Sequence, residues 1–386
     1  MKKICFITTS RADFGTLNEL IQETINEKNF TTQLIVSGSH YNKIFGKTEK
    51  EISYKKKCLI KPVYILQNNN KDSKSVALSF SECVKKYTNT LIKLKPDIFV
   101  AFGDRYEMLA AVLSAYILRI PIAHIAGGEK TFGSLDEGYR HSISKLSNLH
   151  FPTMEIYKKT LIQLGENPKT IFNYGSLSEL KILKNKSLSR IDLEKKMGIK
   201  FYEKNLVFTH HPETTDSSRC IKNLSTILNT LKKLKKTLII ITSPNADAKG
   251  IIMIKYINNF IKKKKLKNFV FFKSLGSLVY LSLLKVVDGV VGNSSSGISE
   301  VPLFGIGTVN IGKRQDGRFM FPSVINCTVS KMAILDSIKK IYNSDFRRKI
   351  KKQIKINKSK NSAKKIAKKI LLFNFKNYKD KVFYEK

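Results

Sequence analysis

Twice along the chain, short apolar runs alternate with helix-length segments whose apolar residues recur every three or four positions. Runs that are apolar throughout read as strands covered on both faces, and helices between successive strands make the sheet parallel. In the first series, residues 3–9, 32–37, 62–66, 98–103, 121–125 and 171–174 read as strands, with helices near 14–26, 75–94, 105–118, 135–147 and 155–164. Over 175–204 the pattern degrades into Ser, Leu and Lys. A second series follows, with strands at 206–209, 237–242, 269–272, 289–291 and 308–311, and helices near 220–234, 250–263, 275–284, 297–304 and 331–342. The expected fold is therefore α/β with two Rossmann-like parallel-sheet lobes: 1–180, 195–360, and a basic helical tail at 361–386 that packs back on the first lobe.

Ligands of open parallel sheets bind beyond the carboxyl ends of the strands. The conspicuous polar residues stand there: Ser10-Arg11, Gly103-Asp104-Arg105, Gly127-Gly128-Glu129, His210-His211 and Asn293-Ser294-Ser295-Ser296. Two such rims facing each other make one cleft. In the second lobe an apolar strand runs into Asn293, Ser294, Ser295 and Gly297, with Glu300 about one and a half helical turns past Ser295 and Arg314 after the next strand. Backbone N–H groups at a helix start favour a phosphate, and a carboxylate at Glu300 suits paired ribose hydroxyls. The Ser run alone also fits an ordinary helix cap.

The net charge of +40 invites a nucleic-acid partner, but the form of the charge argues against one. Of 70 basic residues only ten are arginine, and the lysines lie in runs rich in Asn and Ile, a compositional habit rather than a binding face. Five of those arginines, Arg11, Arg105, Arg140, Arg314 and Arg318, fall in the motif regions. Arginine is the fork that recognises phosphate and carboxylate in pairs. No apolar stretch reaches eighteen residues and no signal peptide is recognisable, so a cytoplasmic protein without membrane contact is expected. The five cysteines are scattered and read as buried thiols.

In the first lobe, Ser10-Arg11-Ala12-Asp13-Phe14-Gly15 is a strand-to-helix turn without G-x-G-x-x-G, which disfavours a nicotinamide enzyme. Arg11 is expected to reach a phosphate, with Ser10 and Asp13 as plain caps the alternative. Asp104 at a strand end is either a helix cap or an acid whose protonation is tuned by burial. Glu129, Asp136, Glu137, Arg140 and His141 share one loop and helix start, the kind of cluster that proton transfer needs. His210-His211 lacks a third ligand at matching spacing, so no metal is expected; His211 is the imidazole expected to face the cleft. Asn245, at another strand end, either holds substrate hydroxyls or shapes a turn.

Together these motifs resemble the hydrolysing UDP-N-acetylglucosamine 2-epimerases of bacterial sialic-acid and legionaminic-acid synthesis. The likeness runs in order from Lys3 to about Arg318, through Ser10-Arg11-Ala12-Asp13, Gly103-Asp104-Arg105-Tyr106-Glu107, Gly127-Gly128-Glu129-Lys130-Thr131, Arg140-His141, His211-Pro212-Glu213 and 292–297. It implies a GT-B-like pair of lobes, a UDP-sugar substrate, no cofactor and a homo-oligomer, dimer or tetramer. The implied reaction eliminates UDP from C1 with loss of the C2 proton, giving a 2-acetamidoglucal. Water addition then yields N-acetylmannosamine. Arg11, Gly15, Arg105, Asn245, Asn293, Ser294, Ser295, Gly297, Glu300 and Arg314 would bind the substrate; Asp104, Glu129, Asp136, Arg140 and His211 would carry the chemistry. Non-hydrolysing relatives hold a Glu directly after the His-Ile pair; Ala126 stands there here and the next acid is Glu129, as in the hydrolysing branch. The same chemistry on a UDP- or GDP-N,N′-diacetylbacillosamine is one alternative, and a GT-B glycosyltransferase is another.

Overall fold

A computed structural model describes residues 1–41, 48–52, 54, 57–65, 72–184, 186–213, 218–244, 249–352, 359–378 and 380–385. The first lobe contains β1 (Lys2–Thr8), α1 (Arg11–Asn26), β2 (Phe30–Val36), β3 (Leu59–Pro62), α2 (Ser73–Leu94), β4 (Ile98–Phe102), α3 (Tyr106–Ile117), β5 (Ile122–Ile125), α4 (Asp136–Leu146), β6 (Leu149–Phe151) and α5 (Glu155–Gln163). Two helices connect the lobes, α6 (Leu177–Lys184) and α7 (Arg190–Met197). The second lobe begins with β7 (Lys204–Thr209), α8 (Cys220–Leu231), β8 (Thr237–Thr242), α9 (Gly250–Lys263), β9 (Phe269–Phe272) and α10 (Gly276–Leu283). It continues through β10 (Gly289–Gly292), α11 (Ser295–Ser299), β11 (Gly307–Ile311), β12 (Val324–Cys327), α12 (Lys331–Tyr342) and α13 (Ser344–Lys351); α14 (Ser362–Leu372) lies near the end of the chain.

Both sheets are parallel and six-stranded, ordered β3-β2-β1-β4-β5-β6 and β12-β11-β10-β7-β8-β9. Counted within each lobe this is one order, with its reversal between β1 and β4 and again between β7 and β10. Such a reversal opens a crevice at the strand ends, where ligands sit. In register, Phe6 pairs with Val100 and Thr209 with Gly292. Each sheet is buried on both faces: Phe6, Leu34 and Val100 meet α1, while Cys5, Ile35 and Phe99 meet α2 and α3. The second lobe repeats the scheme, with Phe208 and Ile239 on one side and Val207 and Ile240 on the other.

α14 crosses back: Ala363, Ile366, Ala367 and Ile370 join the first lobe's core beside Leu17, Leu177 and Leu180. Leu177 and Leu180 of α6 belong to that core while Ile182 belongs to the second lobe's, so this helix ties the lobes together. Cys5, Cys58, Cys83 and Cys220 are buried free thiols and Cys327 is half-buried. Among the described residues no helix is long and apolar enough to cross a membrane.

Several elements differ from the pattern reading. Residues 171–174 make one isolated bridge, Ile171 to His150, and otherwise pack Phe172 and Tyr174 against Phe151. The real sixth strand is the three-residue β6, too short to carry a period. The strand expected at 62–66 is Leu59–Pro62; Leu66 lies outside the described residues. The helix expected at 297–304 is the five-residue α11 followed by a 3₁₀ turn over Val301–Phe304, where Pro302 removes a helix donor. β12, with half-exposed Val324 and exposed Asn326, and the two helices within 175–204 left no clear period.

Candidate active site

At the end of β1, Ser10 caps α1, its hydroxyl accepting from the Asp13 N–H at 3.5 Å, and the Asp13 carboxylate accepts from the Thr9 N–H at 2.8 Å. Those two are caps. Arg11 instead reaches across to the second lobe, where Nη1 donates to the Ser274 hydroxyl. Burial draws its pKa downward, against the opposing pull of Glu51 and Tyr280.

At the end of β4, Gly103 holds φ 83° and Arg105, without a side-chain capping bond, occupies the cap position of α3. Asp104 is thus no cap. Its carboxylate accepts from Arg140 Nε at 3.1 Å and from Arg140 Nη2. Arg140, 1% exposed on α4, also donates through Nη1 to the Glu129 carbonyl at 2.9 Å and to Glu137 at 3.0 Å. Burial alone would raise the Asp104 carboxyl, but Arg140 and then Arg318 outweigh it and hold it below the usual carboxylate value. The same pairing, acting against burial, holds the Arg140 guanidinium above its ordinary value.

Behind this pair stands His124, fully buried, with Nε2 3.0 Å from the Gly103 carbonyl and Nδ1 3.0 Å from Ser144 Oγ. A carbonyl only accepts, so Nε2 carries the proton and Nδ1 accepts from the serine. Burial pushes His124 down to about 3, so it is neutral at physiological pH.

The second lobe supplies the opposite rim. Gly292, at φ 134°, is required where β10 meets β7: a Cβ there would lie 1.8 Å from the Thr209 carbonyl oxygen. The turn delivers Asn293, which accepts from the His211 N–H at 2.6 Å and donates to the His211 carbonyl at 3.0 Å. His211 is buried at the cleft wall, and burial, with Arg314 and His210 adding, holds it well below its ordinary pKa. His210 turns away and stacks on Phe208.

Ser294 caps α11, its hydroxyl 3.3 Å from the Ser296 N–H. A five-residue helix carries little dipole, so the anion preference of this turn rests on its N–H groups and nearby cations. Glu300 is oriented by a relay: its carboxylate can only accept, so Ser296 Oγ donates to it at 2.6 Å and itself accepts from the Tyr280 hydroxyl at 2.7 Å. Lys181 of α6 stands 3.9 Å from the other Glu300 oxygen.

Two loops interlock across the cleft. The Phe132 N–H donates to the Asp316 carbonyl at 2.8 Å, and a Cβ on Gly133 would lie 2.0 Å from the Lys313 carbonyl oxygen. This contact brings Arg314 within 3.9 Å of Asp136. It also brings Arg318 to Glu129, Nη1 to Oε2 at 2.6 Å, with Nη2 3.8 Å from Asp104. Both guanidiniums retain a buried Nε–H without an acceptor.

A cavity of about 450 Å³ lies between the rims, lined by Arg11, Asp104, Arg105, Glu129, Asp136, His211, Ser294, Ser295, Glu300 and Arg314 among others. Several expected residues stand elsewhere. Arg140 lies behind the acids, bonded to Asp104 and Glu137. Asn293 is fully buried, its amide spent on the main chain of His211. Gly297 packs on β11, where a Cβ would lie 2.9 Å from Thr308 Cγ2. Gly15 opens instead on a neighbouring cavity of about 340 Å³ beside Lys181 and Lys184. Asn245 lies outside the described residues. Conversely, Arg318, Tyr280 and Lys181 line the cleft but were not among the expected site residues. Only Arg318 carried a sequence signal, an arginine kept in a lysine-rich chain.

Comparison with known proteins gives the arrangement a context. Residues 22–371 match the family model described as UDP-N-acetylglucosamine 2-epimerase. The chain is 38% identical over 348 residues to a GDP/UDP-N,N′-diacetylbacillosamine 2-epimerase (hydrolyzing) of Campylobacter jejuni, covering 90% of this chain and 89% of that one. It is 35% identical to the polysialic acid biosynthesis protein P7 of Escherichia coli, covering 88% and 85%. The fold is similar to the UDP-GlcNAc 2-epimerase of Neisseria meningitidis, solved bound to UDP-GlcNAc, with a TM-score of 0.77, 19% identity, and coverage of 96% and 99%.

Proposed function

The chain belongs to the UDP-N-acetylglucosamine 2-epimerase family, and from that premise we propose that it is a hydrolysing 2-epimerase that converts UDP-N-acetylglucosamine to N-acetylmannosamine and UDP. One observation carries this reading: carboxylates of the first lobe and guanidiniums of the second meet at the same cavity. Elimination needs both, one set to move a proton and the other to stabilise the departing diphosphate.

Arg11, Arg314 and the N–H groups of Ser294 and Ser295 stand where charge develops on the leaving group, and the oriented Glu300 accepts from the ribose hydroxyls. Departure of the diphosphate leaves positive character at C1, which acidifies the C2 proton. Asp104, held ionised by Arg140 and Arg318, is then a sufficient base despite its low proton affinity. Glu129 guides the water that adds at C1, Asp136, beside Arg314, passes that water's proton to C2 from the other face, and Asp104 sheds the proton it took to solvent. His211, neutral, hydrogen-bonds the sugar or its phosphate. The acidic cluster is what a pure glycosyltransferase has less reason to carry.

A second reading, favoured by the 38% identity to the Campylobacter jejuni protein, keeps this chemistry and replaces the sugar by N,N′-diacetylbacillosamine on UDP or GDP. Incubation without acceptor, with each nucleotide sugar in turn, tests both. Release of the nucleoside diphosphate with a free 2-epimeric amino sugar supports the reaction, and the larger kcat/KM assigns the sugar. Release only when an acceptor is supplied contradicts it. Cytoplasmic location and homo-oligomeric assembly belong to the same proposal, and light scattering on the purified protein tests the assembly.

A further inference from the structure

Arg318 belongs to the second lobe, yet its contacts are with the first lobe's acids. Nη1 lies 2.6 Å from Glu129 and Nη2 lies 3.8 Å from Asp104, while the side chain is 12% exposed. The loop that carries it also carries Arg314, four residues earlier, which faces Asp136 at 3.9 Å and contacts the Asn293 turn through its carbonyl at 3.4 Å. That loop is fixed to the first lobe by backbone contact at Phe132 and Gly133. One short segment therefore touches both the anion-binding turn and the proton-transfer carboxylates.

We propose that Arg318 is a positioning residue for the reaction: it holds Glu129 in place and sets its charge beside Asp104, so the loop that grips the leaving diphosphate also sets the proton chemistry across the cleft. This rests on the hydrolysing-epimerase reading. The charged surroundings bear it out. Asp104 faces Arg140 from α4, Arg318 from the second lobe and its neighbour Arg105, with His124 behind it held neutral by burial. Glu129 faces Arg318, with Arg140 bonded to its carbonyl and Tyr157 close by. Arg140 is shared among Asp104, Glu137 and the Glu129 carbonyl, whereas Arg318 spans the carboxylates of Asp104 and Glu129. Removing one guanidinium leaves Asp104 with less positive charge, so its ionised form appears at higher pH.

The test is Arg318→Ala beside Arg318→Lys. The alanine enzyme should lose about 10²-fold in kcat, and its UDP affinity should stay within about threefold. The acid limb of kcat/KM should move upward by about one pH unit. Lysine, which restores charge without the fork, should recover the limb but only part of kcat. Unchanged kcat, an unmoved limb, or UDP affinity falling in step with kcat would overturn the proposal, the last because Arg318 would then merely hold the lobes together. Carboxyl-carbon NMR of Asp104 in the free enzymes separates this from the functional reading: its titration should move upward in Arg318→Ala whatever the substrate, and no movement overturns the tuning. A wild-type protein that releases no sugar would overturn the functional reading instead.

Discussion

The two lobes share one strand order and differ in what they place at its reversal. Beyond β10 and β7 the second lobe presents serine hydroxyls, turn N–H groups and Arg314, chiefly donors, with Glu300 the carboxylate among them. Beyond β1, β4 and β5 the first presents Arg11 with Asp104, Glu129 and Asp136, chiefly acceptors and proton carriers. The fold supplies two equivalent crevices, and on the proposed reading the chemistry is divided between them: the second half, helped by Arg11, holds a leaving anion, and the first moves a proton. Arg318 breaks the division, since it comes from the donor lobe and serves the acidic one.

The largest expected effect falls on the acidic half. Asp104→Asn should lower kcat by at least about 10³-fold, with UDP affinity within several-fold of wild type by calorimetry; a parallel loss of UDP binding would erase the distinction between lobes. Next comes the crossing helix. Ile370 is fully buried in the first lobe's core, and Ile370→Ala should cost about 2–4 kcal/mol in denaturant unfolding. The still-folded fraction should keep its kcat. Third, Arg314→Ala removes charge-assisted donors from the second lobe and should weaken UDP binding by about 10–100-fold, or about 1.4–2.7 kcal/mol.

The last effect sharpens the comparison through pH. His124 in the first lobe and His210 in the second are each pushed by burial down to about 3, so both are neutral when folded. The unfolded chain takes up their protons below about 6.5, so stability falls as pH drops from there toward 3. Each contributes about 1.4 kcal/mol per pH unit. Thermal melts between pH 7 and 5 should show the decline, and His124→Gln or His210→Gln should flatten it.

Where an element carried its own period or its own turn, the sequence announced it. Parallel strands buried on both faces, such as Ile4 to Ile7 and Leu206 to Phe208, are continuous apolar runs, and the polar residues ending them marked the crevices. β6 and β12 were illegible because three residues, or four half-exposed ones, hold no period. The sequence marked the polar residues at the strand ends, but not which of them touch the cavity. Asn293 looks like a ligand residue until the His211 main chain is seen to occupy its amide. Asp104 could be a cap or a base until Arg140, 36 residues later in the chain, and Arg318, from the other lobe, are placed beside it. Such pairings arise from loops meeting across a cleft, and no local pattern encodes them.

The central claim is that the first lobe exchanges the C2 proton while the second releases the nucleotide. Reaction in deuterated water with the preferred UDP- or GDP-sugar tests it most directly, with mass spectrometry and proton NMR on the released sugar. One deuterium at C2 of the free 2-epimer is the predicted result. Free sugar with hydrogen retained at C2, or sugar released only onto an acceptor, would contradict it.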